Sequence, residues 1–145
     1  MTANPGNFAS TIFRVRYAET DQMGVVYYAN YFVWFEVGRV EFCRQHGFAY
    51  RDMERDDGLF IIVAEASCRY KSSARYDDEI EVRTSLKAMR RRVLTFSYEI
   101  LRKADQQLLA EGETVHVIVD RQGRACALPE KYRQLFGSGI KAQQV

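Results

Sequence analysis

Asp21, Gly24 and Tyr28 stand at fixed spacing in the run Tyr17-Ala-Glu-Thr-Asp-Gln-Met-Gly-Val-Val-Tyr-Tyr-Ala-Asn-Tyr31, just ahead of an unusually apolar stretch. The order reads as strand, loop with one carboxylate, tight turn and helix start. A carboxylate facing the unpartnered N–H groups of a helix start can attack or hydrate a carbonyl whose oxygen those groups hold. Acyl chemistry is therefore the reaction class that the spacing suggests. Thr-Asp before a helix is also a common N-cap signal, which is the structural alternative for Asp21. Its distance from the apolar helix, with Gly24 between, argues against the usual cap bond. At Tyr28 the backbone carries the stronger argument, because one such N–H donor to an oxyanion is worth ~3 kcal/mol. The alternative is that this N–H bonds water or Asp21 itself.

The elements that must position these residues follow from periodicity. Residues 11–17 alternate as a half-buried strand, with Phe13, Val15 and Tyr17 against Arg14 and Arg16. From about Ala29 to His46 the pattern is helical, and Gly47 supplies the C-cap. Tyr31, Phe32, Val33, Trp34 and Phe35 are consecutive, so the first half of this helix is apolar all round and requires enclosure. Residues 49–57 read as a short surface helix or loop ended by Gly58. Strand-like runs follow at 60–70, 79–86, 93–101 and 108–119, and residues 129–136 read as a short terminal helix. The polar connections at 71–78, 87–92 and 103–107 suit antiparallel hairpins. The expected class is α+β, a five-stranded antiparallel sheet wrapped around one long helix. One sheet of this size leaves a helix flank and an edge strand open, which a homodimer pairing its edges would cover.

Composition narrows the functional classes. The chain has 145 residues, 47% of them apolar, with nine Tyr, nine Phe and one Trp, as expected of one globular domain with aromatic walls. The expected organisation is a disordered start at 1–10, a domain at 11–136 and a flexible tail at 137–145. Net charge is +2, far from the basic footprint of a nucleic-acid protein. No apolar run approaches the ~20 residues of a membrane span. Cys43, Cys68 and Cys126 are widely spaced without a C-x-x-C, which disfavours a disulfide framework or zinc site and favours a reducing cytoplasm. His116 has no acidic or serine partner in its strand and reads as structural, and His46 reads as a helix C-terminal cation. No G-x-S-x-G, Walker-type loop, G-x-G-x-x-G or H-E-x-x-H occurs. Arg90, Arg91 and Arg92 form a basic turn that is either simply solvated or suited to phosphates. The loop with Lys71, Ser72, Ser73 and Arg75 is a second candidate for a nucleotide phosphate.

With these residues in place, the chain resembles the 4-hydroxybenzoyl-CoA thioesterase family of hot-dog-fold thioesterases, especially the branch linked to the bacterial Tol–Pal envelope system. The matching block runs from Val15 to Tyr31, with Phe35, Glu36 and Arg39 after it, and Ala74-Arg-Tyr-Asp-Asp78 matches a later family loop. The resemblance implies a hot-dog fold in which the sheet wraps the long helix, assembled as a homodimer or homotetramer. It implies Asp21 as nucleophile or general base, with the thioester oxygen held near Tyr28. Tyr17, Gly24, Val25, Asn30 and Tyr31 then line the substrate site. Coenzyme A, part of the substrate and no separate cofactor, lies along the subunit interface, with Arg90, Arg91, Arg92, Ser72 and Ser73 as candidate phosphate contacts. No metal is required. The Tol–Pal-associated branch has histidine where this chain has Tyr28, whereas the hydroxybenzoyl-CoA enzymes have tyrosine. The expected activity is acyl-CoA thioester hydrolysis, and the alternative is a non-catalytic acyl-CoA or acyl-carrier binding module.

Overall fold

The protein is described here by a computed structural model covering residues 8–137. The chain runs β1 (Ala9–Arg14), α1 (Asn30–Gln45), α2 (Tyr50–Asp57), β2 (Phe60–Tyr70), β3 (Glu79–Met89), β4 (Val93–Arg102), β5 (Gln107–Val119) and α3 (Glu130–Gly137). The five strands form one sheet in the order β1-β3-β4-β5-β2, with every neighbouring pair antiparallel. β1 begins at Ala9, inside the stretch expected to be an unstructured start, and it ends at Arg14 rather than residue 17. It stops because Val15 turns to exchange backbone bonds with the 77–78 segment, and a 3-10 turn at Tyr17–Glu19 follows. α3 runs one residue into the expected C-terminal tail, to Gly137, and residues 1–7 and 138–145 of the expected tails lie outside the described residues.

Two of the three expected hairpins form. The third does not, because β2 pairs with β5 at the far edge of the sheet and not with β3. Residues 71–78 are thus a crossover along one end of the sheet. Sequence neighbours paired here only where a tight turn could close them, at 90–92 and 103–106. The crossover is pinned by Arg102, which donates to Ser73 O at 3.0 Å and to Asp78 Oδ2 at 3.4 Å.

The long helix lies on the inner face of the sheet. Two glycines set how close it comes. A Cβ on Gly38 of α1 would sit 2.7 Å from Val82 Cγ1, and one on Gly112 of β5 would sit 2.7 Å from the Phe35 ring. Phe35 stacks on Tyr98 of β4 at 4.2 Å between ring centroids, a contact that needs this close approach. Phe42, Phe48, Phe96, Tyr132 and Phe136 close the opposite end. Beneath α1 a polar chain is enclosed. Arg39 Nη1 donates to the Tyr98 hydroxyl at 3.1 Å, and that hydroxyl and His116 Nε2 both meet Thr114 Oγ1. Burial, and then the Arg39 charge, push the His116 pKa down to about 3, so the ring is neutral and structural as expected.

Enclosure of α1 is incomplete. Val33 and Val37 are 47% and 40% exposed, and the edge strand β2 exposes Ile62 and Val63. All three cysteines are free. No helix among the described residues is long and apolar enough to cross a membrane.

Candidate active site

The loop between β1 and α1 is held from below by a carboxylate that sequence reasoning passed over. Glu19 is buried, and its side chain accepts from the Arg16 N–H at 2.8 Å, the Trp34 indole at 3.0 Å and the Arg16 guanidinium at 3.3 Å. Burial opposes its charge, yet these bonds and the Arg16 charge outweigh that and hold its carboxyl below the usual range. Its backbone carbonyl accepts from the Tyr27 N–H and from Asn30 Nδ2, both at 2.9 Å. Glu19 therefore ties both ends of the loop to α1. The available signal was Arg16 to Glu19 at capping-box spacing, with an indole 15 residues on.

Asp21 lies on the exposed part of this loop. Its Oδ1 accepts from the Met23 N–H at 2.8 Å and the Val25 N–H at 3.4 Å, and its own N–H bonds Val25 O. Asp21 thus closes a turn through Gly24, whose φ is +80°, and does not cap α1. That leaves Oδ2 without a partner among the described residues.

Tyr28 lies two residues before α1, not inside its first turn. Asn30, Tyr31 and Phe32 donate back to Tyr27, Tyr28 and Ala29 carbonyls in tight i→i−3 fashion. The orphan donors of the helix start are thereby displaced outward. The N–H groups of Tyr28 and Ala29 have no acceptor among the described residues. Tyr70, another residue not anticipated, donates its hydroxyl to Tyr28 O at 3.0 Å. Because that peptide is trans, fixing its carbonyl aims the Ala29 N–H the opposite way. Burial, and then the adjoining Cys68 thiol, raise the Tyr70 pKa, so the phenol remains a donor.

These groups share one cavity of about 360 Å3, lined by Asp21, Val25 and Val26, by Tyr27, Tyr28, Tyr31 and Tyr70, and by Lys71, Ser72 and Ser73. The β2-to-β3 crossover delivers its last three members, which is why the misread connection matters. Among the expected site residues, Asp21, Val25, Tyr28, Tyr31, Ser72 and Ser73 come together there. Gly24 shapes the turn, and Asn30 holds Glu19 O. Tyr17 lies outside the cavity, on the surface against Tyr76. Arg90, Arg91 and Arg92 form the β3–β4 turn, roughly 33 Å along β3 from the end that faces this cavity. Within one chain they do not join it. Among the described residues no cluster of three His, Cys, Asp or Glu side chains is arranged to hold a metal.

A five-stranded antiparallel sheet around one long helix, with a carboxylate loop at the helix start, is the hot-dog arrangement of thioesterases. The chain belongs to the Thioesterase-like superfamily, whose family model matches residues 15–136. It is 36% identical over 107 residues to the acyl-CoA thioester hydrolase YbgC of Escherichia coli O6:H1, covering 74% of this chain and 78% of that protein. Its fold matches the crystal structure of DHNA-CoA thioesterase from Staphylococcus aureus with a TM-score of 0.84 and 30% identity, covering 90% of this chain and 87% of that one. A 4-hydroxybenzoyl-CoA thioesterase structure, at 21% identity, shares the fold with a TM-score of 0.82 over 89% of this chain and 98% of its own. Family membership places this protein among the thioester hydrolases.

Proposed function

We propose that this protein hydrolyses acyl-CoA thioesters, with Asp21 as the reacting carboxylate. The observation that carries the reading is that Asp21, one of whose oxygens has no partner among the described residues, lines the same cavity as Tyr28, and that the N–H groups of Tyr28 and of the adjoining Ala29 have no acceptor among those residues. The thioester carbonyl oxygen lies against the Tyr28 and Ala29 N–H groups, which stabilise the charge it gains. Asp21 then attacks the carbonyl carbon, the C–S bond breaks and the coenzyme A thiolate leaves. Water hydrolyses the resulting anhydride to free acid and regenerates the carboxylate. In the general-base form, Asp21 takes a proton from the attacking water instead, and acid and thiol result alike. A thiolate is a good leaving group, so neither route needs a metal.

The acyl group meets a wall of Val25, Val26, Tyr27, Tyr28 and Tyr31. The bare flank of Val33 and Val37 and the open β2 edge support a homodimer, in which a second copy covers both. Light scattering on the purified chain checks that state. Three unpaired cysteines fit a reducing, cytoplasmic setting. Thiol release from a panel of short, long and aromatic acyl-CoAs tests the activity. Release from at least one member is expected. Tight binding without release from any would instead favour an acyl-CoA or acyl-carrier binding module.

A further inference from the structure

Two segments that line the cavity, residues 21–26 and the crossover at 71–78, belong to no helix or strand, so contacts must fix the spacing between them. Within residues 21–26 most bonds are local. Met23 and Val25 donate to the Asp21 carboxylate, Gly24 to Asp21 O, and Asp21 N–H to Val25 O. Val26 N–H donates to Ala74 O at 2.9 Å, and among the described residues that is the one hydrogen bond from this stretch to the crossover. Val25 and Arg75 form an isolated antiparallel bridge next to it. Ala74 and Val26 are both buried, so water does not compete for their bond. The place of the Asp21 loop against the crossover is thereby referred to Ala74.

Ala74 is itself held from β4. Arg102, the last residue of that strand, donates through Nη2 to Ser73 O at 3.0 Å, on one side of Ala74. On the other side, Asp78 Oδ2 accepts from the Arg75 N–H at 2.9 Å and from Arg102 Nε at 3.4 Å. The third nitrogen, Nη1, donates to Asp105 Oδ2 at 2.9 Å in the β4–β5 turn, where Asp105 Oδ1 accepts from the Gln107 N–H at 3.1 Å. The Ser73–Ala74 peptide is trans, so fixing its carbonyl on Arg102 turns its N–H the opposite way, onto the Tyr31 hydroxyl at 3.4 Å. One guanidinium therefore brackets Ala74 and anchors it to the sheet. A planar fork with fixed donors can span these acceptors together, and a single ammonium on a flexible stem cannot. The start of the crossover is fixed separately, by Lys71 and Ser72 N–H groups that share Leu109 O at 2.8 and 3.1 Å.

We propose that Arg102 is a positioning residue for the thioester reaction, setting the Asp21 loop against the crossover through Ala74. It lines no part of the cavity and touches no reacting atom. Its effect runs from the guanidinium to Ser73 O and Asp78, from there to Ala74 O, and from Ala74 O through Val26 to the turn that Asp21 closes. Glu19 holds the same loop from the side of α1, so the reacting carboxylate is placed from two directions. Small displacements of a reacting group cost much of its rate, which gives a remote clamp of this kind its leverage. The proposal rests on the acyl-CoA reading above, with Asp21 as the reacting group.

The test combines backbone amide exchange, followed by NMR on the full chain, with thiol release from the best acyl-CoA. Arg102→Met should speed exchange at Val26 by about 10-fold and leave the amides of residues 94–98 in central β4 unchanged. It should also lower kcat about 10-fold. Added to Asp21→Asn, the same change should lower the residual rate by less than about two-fold, because no reacting carboxylate is left to place. Arg102→Lys keeps the charge and should recover part of both losses, and it carries the test if Arg102→Met does not fold. Exchange at Val26 within about two-fold of the unaltered chain overturns the proposal, as does an equal rise at Val26 and throughout β4. A loss of about 10-fold that persists in the Asp21→Asn chain overturns it too. No thiol release by the unaltered chain would defeat the thioesterase reading separately, and the exchange rates still decide what Arg102 holds.

Discussion

Two cavities of this protein differ in size and in how much of their polar capacity is already used. The larger, about 530 Å3, lies on the outer face of the sheet among Ser67, Ser85, Ser97 and Glu99, with Glu111 and Glu113 at its side. Among the described residues three of its five charged side chains, Arg83, Glu111 and Glu113, are in ion pairs, and Arg69 and Glu99 are not. Lys71 meets Glu111 at 3.7 Å, Lys87 bonds Glu113, and Arg83 meets Glu81 at 3.2 Å. The backbone beneath is spent in the β3–β4–β5–β2 ladders. The smaller cavity, about 360 Å3, holds an unpartnered carboxylate oxygen and Tyr28, next to N–H groups without acceptors. Volume does not locate the chemistry here. A carboxylate beside backbone N–H groups that have no acceptor does, because such a pairing can gain from a charge that develops during reaction.

The largest expected contrast is between carboxylates of the two cavities. Asp21→Ala should lower kcat for an acyl-CoA by about 10³-fold or more, as loss of a nucleophile or base does. Glu113→Gln in the outer cavity should leave kcat within about two-fold, because it forfeits only an exposed ion pair. Steady-state thiol release on both variants measures the difference, and equal losses would erase the distinction between the cavities.

A middle-sized effect belongs to Glu19, which touches no substrate but holds the loop. Glu19→Gln should lower kcat about 10-fold and destabilise the fold by ~1–3 kcal/mol, since buried partners lose a charged acceptor. Its folded pKa is depressed, so its stabilisation is present above the unfolded value near 4.5 and is lost as pH falls through the lower folded value. The unaltered chain should therefore lose Tm faster than Glu19→Gln below about pH 4.5. Thermal unfolding across that range checks this, and parallel curves would remove Glu19 as the ionised clamp.

The smallest effect tests orientation. Tyr70→Phe keeps the ring against Tyr28 and Tyr31 but removes the bond to Tyr28 O. A fall in kcat of about three-fold is expected, close to the net worth of one neutral hydrogen bond. No change would mean that the Ala29 N–H is aimed by α1 alone.

Much of this was legible in the sequence. The alternation in β4 and β5 fixed their faces, and the consecutive aromatics of α1 required a covering sheet. Two things were not. Adjacent runs β2 and β3 looked like a hairpin, because sequence spacing does not reveal that β2 pairs with a strand formed 37 residues after it ends. Glu19 and Tyr70 act through tertiary bonds to Trp34 and to a backbone carbonyl, and local pattern carries little trace of either. The tie between Asp21 and its loop was half readable: Gly24 announced the turn and the distance to α1 argued against a cap, but the bonds from the Met23 and Val25 N–H groups by which Asp21 closes that turn left no mark in the pattern.

The central claim is that the Asp21 carboxylate reacts, and Asp21→Asn addresses it most directly. Asparagine keeps an oxygen to accept from the Met23 N–H, so the turn survives while the charge and its nucleophile are lost. Thiol release from the best acyl-CoA should fall by about 10³-fold with Tm and coenzyme A affinity essentially unchanged. Turnover within about ten-fold of the unaltered chain would contradict the account.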